Sequence, residues 1–318
     1  MSTQVTREWQ DRFVLTREFS TPGARAAFFA SVRRGEFVAV LRGAYMAAEA
    51  WAAMGGDEQY RTIVLAAAEL LPGKPVFSHY SAAALWRLPM VGAWQRRVHV
   101  TVPTADGGRS SGVVFRHTVG VPDDLTSIDG LTVTSLGRTV VDLARAASFG
   151  QAVVFADAAL HRSAHPIGGI PGTSLDRADL YGELAGVPIR QGTAKIREII
   201  EFADGTADRP GESLSRVSML RAGITMPLLQ APLRGASGRQ YFVDFWWPTF
   251  NVIGEFDGHD KYRLPEFLRG RTPEQAVYDE KLREDDLRAA GHGVSRWPWA
   301  VAVSPRRLAA HLAIAGVR

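Results

Sequence analysis

Apolar positions along the 318 residues recur at two periods, and the switches between them mark the elements. Residues 24–34 (ARAAFFASVRR) have helical spacing, end in a basic pair and are stopped by Gly35. EFVAVLRGAYMA follows. Phe37, Val38, Val40 and Leu41 predict a strand, Arg42-Gly43 a tight turn, and Ala44-Tyr45-Met46 a return strand. Helical patterns cover 58–71, stopped by Pro72-Gly73, then 78–85, 134–147 and 151–162. RVHVTVP at 97–103 alternates like a strand, with GVVFRH at 112–117 as its expected partner and ADGGRSS as the loop between them. Residues 163–190, with Pro166, Gly168, Gly169, Pro171 and Gly172, read as a loop or linker. Beyond it, helices are predicted at 194–203, at 212–222 before Gly223, and at 275–290 before Gly291. Strands are predicted at 240–247, 251–256 and 294–297, and Ser304-Pro305 opens a last helix as N-cap and first residue. This order predicts an α/β (α+β) fold around a mixed sheet.

Composition narrows the setting. A net charge of +4 and a pI of about 9.6 suit a polyanionic partner without requiring one. The absence of cysteine removes disulfides, thiolate zinc sites and cysteine nucleophiles, and fits a reducing cytoplasm. No apolar run is long enough to span a membrane, and MSTQVTREWQDRF lacks the apolar stretch of a secretory signal. The helix and hairpin of residues 24–46 match the tail of a winged helix-turn-helix, in which a helix enters the major groove and the wing touches phosphate. Arg33, Arg34 and Arg42 are the DNA-binding candidates on it, against the alternative of a purely structural helix-hairpin.

The candidate chemistry lies in VDFWWPTFNVIGEFDGHDKY, residues 243–262. An ionised carboxylate in a buried strand is costly unless paired or holding a metal. On a strand Phe242, Asp244 and Trp246 share one face, and a short turn at Pro248-Thr249 lets Asp244 face Glu255 across a hairpin. Paired carboxylates without a His/Cys cluster favour Mg²⁺ or Mn²⁺. Asp257, Lys261 and Glu212 are the further candidates, Lys261 to balance transition-state charge and Glu212 as ligand or base. Equally, Glu255 could pair with Arg216 or Arg283, and Asp257-Gly258 could be only a turn. Arg263, Arg269 and Arg271 form a basic stretch beside the acids, placed for phosphate contact. His161 and His165 have the spacing of helical metal ligands but lack an intervening acid, and read as surface histidines.

Two resemblances add to this. Glu212 on its helix, VDF at 243–245, GEFDG at 254–258, EKLREDDLRAAG at 280–291 and VSRW at 294–297 come in an order that resembles the very-short-patch-repair-like branch of the PD-(D/E)XK (restriction-endonuclease-like) nucleases. The resemblance implies a Mg²⁺-dependent phosphodiesterase core. Asp244 and Glu255 would be its metal ligands, Asp257 an accessory acid and Glu212 a helix-borne acid. Two positions depart from it: Asp257 stands where the superfamily has lysine, and Lys261 where the closer branch has histidine. In the N-terminal half, VFSHYSAAALWRLPM at 76–90, RVHVTVP at 97–103 and GLTVTSLGRTVVDLAR at 130–145 resemble the abortive-infection type IV antitoxin family, which begins with a winged helix and binds DNA. The motif's Ser78, His79 and Ser81, and Arg138, Thr139 and Asp142, read as helix caps, core and an intra-helix ion pair.

Together these predict a winged helix-turn-helix-like region over 5–60, an antitoxin-like region over 61–165, a linker over 166–193 and a nuclease-like domain over 194–318. The expected function is a cytoplasmic DNA-binding protein with a Mg²⁺-dependent endonuclease domain. Its partners would be DNA and a cognate toxin or other protein, in toxin-antitoxin or phage-defence settings. The alternative is a DNA-binding regulator or antitoxin whose nuclease-like domain is degenerate.

Overall fold

The structure, a computed structural model, describes residues 9–103, 110, 112–187, 191–207, 209–258 and 272–318. It is an α/β protein with mixed sheets, divided into two compact units, Met1–Phe202 and Ala203–Arg318.

In the first unit, α1 (Pro22–Arg33) starts where the Thr21 side chain accepts the Ala24 N–H and Pro22 takes the first turn. It leads into β2 (Phe37–Leu41) and β3 (Ala44–Ala47), and β1 (Val14–Leu15) completes a sheet of order β1-β3-β2. The predicted helix and hairpin are therefore present. Ahead of α1 the described residues form short 3-10 turns, at Gln10–Arg12 and Thr16–Glu18, rather than a further α-helix.

After α2 (Ala48–Ala53), α3 (Gly56–Leu70) runs across residue 60 and packs on β2 and on α4 (His79–Leu85). The boundary expected at 60/61 thus falls inside one helix. β4 (Val76–Phe77), β5 (Val98–Thr101), β6 (Val114–His117), β7 (Leu125–Ile128) and β8 (Leu131–Thr134) form a sheet of order β6-β5-β4-β8-β7. β5 and β6 do pair, in parallel. Helices α5 (Leu136–Ala146) and α6 (Phe149–Ala164) pack on each other.

The stretch read as linker is not all loop. Asp176 and Asp179 form a reciprocal capping box that starts α7 (Arg177–Gly186). Helix α8 (Thr193–Phe202) buries Ile196, Ile199 and Ile200 and packs on α5, α6 and α7, so it belongs to the first unit and not to the C-terminal domain.

The second unit runs helix, three strands, helix, strand, helices. α9 (Pro210–Ala222) ends at Gly223, whose φ of 70° is the left-handed conformation expected of a C-terminal cap. β9 (Leu228–Arg234), β10 (Gln240–Trp247) and β11 (Val252–Asp257) form an antiparallel meander, and β12 (Gly293–Pro298) adds in parallel to β11. β9 is an edge strand, which is why it tolerates Pro232. Between β11 and β12 lies α10 (Pro273–Ala289), and α11 (Trp299–Ala302) and α12 (Pro305–Ile314) close the chain.

Each face of this sheet has its own core. Phe245, Trp247, Phe256 and Trp297 pack with Met219 of α9 and Leu308 and Leu312 of α12. Val243 and Ile253 pack with Leu287 of α10. Trp247 and Trp246 pack in and against these cores. The tryptophans press so close to β11 that only glycine fits at 254: a Cβ there would lie 2.6 Å from Trp297 and 2.8 Å from Trp247. Gly254→Ala is expected to cost about 2 kcal/mol through overpacking, measured by urea unfolding; a cost near zero would mean the rings are free to move aside.

Candidate functional site

β10 and β11 leave their turn paired at Trp247–Val252, Trp246–Ile253 and Phe245–Gly254, and the ladder ends there. One residue further the Asp244 side chain takes over: its Oδ2 accepts the Phe256 N–H at 2.9 Å. The strict alternation expected of β10 also slips here. Trp246 packs in the same cluster as Tyr241 and Val243, whereas Phe245 and Trp247 lie in the other core. The common face expected for Phe242, Asp244 and Trp246 is therefore broken at Asp244. The result is a carboxylate at the point where backbone pairing gives way to side chains.

Glu255 follows Gly254 and is 4% exposed. Arg283 of α10 donates to its Oε1 at 2.9 Å and to the Phe242 carbonyl at 2.5 Å. Of the arginines weighed from sequence, Arg283 thus supplies an ion pair. Burial first, and the Asp244 charge second, push the Glu255 carboxyl up to about 7, against the opposing pull of Arg283. Asp244 and Glu255 occupy facing positions one step past the last pair of the ladder, and the Asp244 charge acts on Glu255. Arg296, across from Glu255 on β12, is engaged by Glu280 at 2.5 Å and Glu284 at 2.9 Å.

Glu212 lies in the first turn of α9, where a carboxylate suits the helix dipole, and is 2% exposed. A residue not singled out from sequence joins it to the strands. Gln230 Nε2 lies 3.3 Å from Glu212 Oε2 and 3.5 Å from Asp244 Oδ1. Asp257 is half-buried at the end of β11, two residues beyond Glu255. Lys261, Arg263, Arg269 and Arg271 lie outside the described residues.

Among the described residues no three His, Asp or Glu side chains form a group that could hold a metal ion. The donors present still fit Mg²⁺ or Mn²⁺. Magnesium is commonly held by one or two carboxylates, with water and substrate phosphate filling the remaining positions. The Glu255 carboxyl, raised first by burial and then by the Asp244 charge, is in the electrostatic condition a divalent cation relieves.

The first unit contains a different polar cluster, built on the SHYS motif. His79 and His117 stack with ring centroids 3.4 Å apart, and His99 Nδ1 lies 2.9 Å from His117 Nε2. Asp142 takes Arg138 at 3.0 Å and lies 3.7 Å from His79 Nδ1. The intra-helix Arg138–Asp142 pair expected from sequence is thus present, and His79 is buried as expected; His99 and His117 beside it carry no signal in the sequence. His79, Ser81 and His99 are buried, and His117 is half-buried. Of the predicted DNA contacts, Arg33 and Arg42 are exposed at the end of α1 and in the hairpin turn, while Arg34 is tied to Glu36 at 2.6 Å. His161 and His165 stack at the end of α6.

No family model matches the chain. Two curated proteins are similar to it, the uncharacterized proteins MT2308 and Rv2248 of Mycobacterium tuberculosis, each 31% identical over 168 residues. The match covers 51% of this chain and 58% of each relative, so the chain spans little more than half the length of the relatives it matches. Among the described residues no helix is long and apolar enough to cross a membrane.

Proposed function

We propose that the second unit is a divalent-cation-dependent phosphodiesterase acting on DNA. The observation that carries this reading is that Asp244 and Glu255 face one another where β10 and β11 stop pairing, the one charge raising the other, with Glu212 joined to Asp244 through Gln230. The order of elements supports it. Glu212, VDF, GEFDG, EKLREDDLRAAG and VSRW fall on α9, β10, β11, α10 and β12 in the sequence the nuclease resemblance requires.

Asp244 and Glu255 would hold Mg²⁺ or Mn²⁺, which would polarise a phosphoryl oxygen. Arg283 fixes the Glu255 carboxylate in place and gives the site a cation from α10. That matters because Asp257 occupies the superfamily lysine position. Lys261, Arg263, Arg269 and Arg271 would hold the DNA backbone beside the acids, and Arg33 and Arg42 of the first unit would add phosphate contacts.

The test is cleavage of supercoiled plasmid and of a mismatched duplex with Mg²⁺, Mn²⁺ or EDTA. Metal-dependent nicking is expected, reduced at least a hundredfold in Asp244→Ala and Glu255→Ala. A second reading, a non-catalytic DNA-binding regulator, draws on Asp257 in the lysine position and on the ion pair Arg283 already makes with Glu255. It requires no nicking and no rise in melting temperature when Mg²⁺ or Mn²⁺ is added.

A further inference from the structure

We infer that Gln230 is a positioning residue of this site, holding Glu212 of α9 and Asp244 of β10 in one arrangement; the inference rests on the phosphodiesterase reading above. The first observation is backbone conformation. Gln230 has a φ of 46°, inside a strand and without being glycine. The register is continuous on either side of it, Val243 with Ala231 and Phe245 with Leu229, so no inserted residue accounts for the kink. A left-handed conformation is strained for a non-glycine residue, and glycine would take it freely. The chain nevertheless carries glutamine there.

The second observation is what its side chain reaches. The amide nitrogen lies 3.3 Å from Glu212 Oε2 and 3.5 Å from Asp244 Oδ1. One NH₂ group carries two protons, one for each carboxylate. No other side-chain chemistry does this as well at an acidic site. Lysine or arginine would neutralise the carboxylates and take the place of a cation. Glutamate would add another negative charge, and a hydrocarbon would donate to neither acid. A neutral double donor orients both carboxylates and preserves the negative charge that attracts a divalent ion.

The experiment uses the full chain with Gln230→Gly, Gln230→Met and Gln230→Asn. Mn²⁺ affinity is read by calorimetry, and melting temperature is read in EDTA. Gly and Met variants are expected to bind Mn²⁺ about tenfold more weakly, as when a residue supporting a metal ligand is lost. Gln230→Gly should melt no lower than wild type, because it sheds the left-handed strain. Weaker binding with undiminished stability is a combination that a merely structural glutamine would not give. Gln230→Asn, which keeps an amide on a shorter arm, should recover part of the affinity. Unchanged Mn²⁺ affinity in both Gly and Met variants overturns the inference and leaves the phosphodiesterase reading standing. A wild type that binds no Mn²⁺ overturns that reading instead. Gln230 is then judged in the metal-free protein by nitrogen-15 NMR of its side-chain amide. Protons that exchange as fast as those of a surface glutamine overturn the positioning role, and slowed exchange sustains it.

Discussion

Acidifying the protein from pH 7 to pH 5 should weaken the first unit by about 2 kcal/mol or more, a substantial part of a typical domain's stability. The cause is the cluster of His79, His99 and His117. Burial first, then neighbouring positive charge, lowers all three: His99 to about 4, with Arg97 contributing, His117 to about 3, with His99 and Arg145 contributing, and His79 well below its ordinary value, with His117, His99, Arg138 and Arg145 contributing. In the unfolded chain each histidine takes its proton near pH 6.5. Between that value and the folded values the unfolded state binds more protons, so stability is present above pH 6.5 and is lost as pH falls. Asp142 opposes this. Its carboxyl is raised to about 6, mainly by burial, so the folded state gains a proton there as pH falls. His99 and His117 against the one carboxyl leave roughly one net proton, and His79 adds to it in the same direction. Urea unfolding of the first unit across this range measures it, and His117→Leu should remove about one proton from the slope. A stability flat between pH 7 and pH 5 would mean that the histidines are not held neutral by the fold.

That cluster also shows where a sequence stops being readable. His79, His99 and His117 come from α4, β5 and β6, and no local period connects them. Only the parallel pairing of β5 with β6, and α4 packing on β5, bring the rings together. Elements with several agreeing signals were legible. The Ser304 side chain caps the helix opened by Pro305, and Gly223 ends α9, as their residue types predict. β9 was not legible, because Gln230 and Pro232 interrupt its strand pattern; its place at the sheet edge lets it form anyway. The hairpin of β7 and β8 was overlooked although Asp129-Gly130, with φ of 52° and 74°, is a strong turn signal. At the candidate site, the approach of Asp244 to Glu255 could be read because a short hairpin fixes it. Gln230 reaches Asp244 and Glu212 from a separate strand, and the pairing of Glu255 with Arg283 of α10 depends on tertiary structure.

The second unit should respond to pH in the opposite sense, through Glu255. Its folded carboxyl, raised to about 7 by burial and by Asp244, compares with an ordinary value near 4.5. The folded state therefore binds the extra proton between those values. The associated stability is full below pH 4.5 and is lost as pH rises through 7. At pH 8, in EDTA, keeping Glu255 ionised costs the fold about 3 kcal/mol relative to a neutral group of the same shape. Glu255→Gln removes most of that cost, and should raise the stability of the second unit by 1–3 kcal/mol at pH 8 while abolishing nicking, with little effect at pH 5. Arg283→Met should do the reverse. It strips the ion pair from a carboxylate that is 4% exposed, and is expected to destabilise by about 3 kcal/mol at pH 8, less at pH 5 where Glu255 carries a proton. The double variant should be milder than Arg283→Met alone, because no buried charge is left without a partner. Equal destabilisation by Arg283→Met at both pH values would show that the arginine matters for its packing and its bond to the Phe242 carbonyl rather than for the charge on Glu255. A stabilised, inactive Glu255→Gln would show directly that the fold tolerates this carboxylate at a cost, which is the behaviour of a functional group rather than of a structural ion pair.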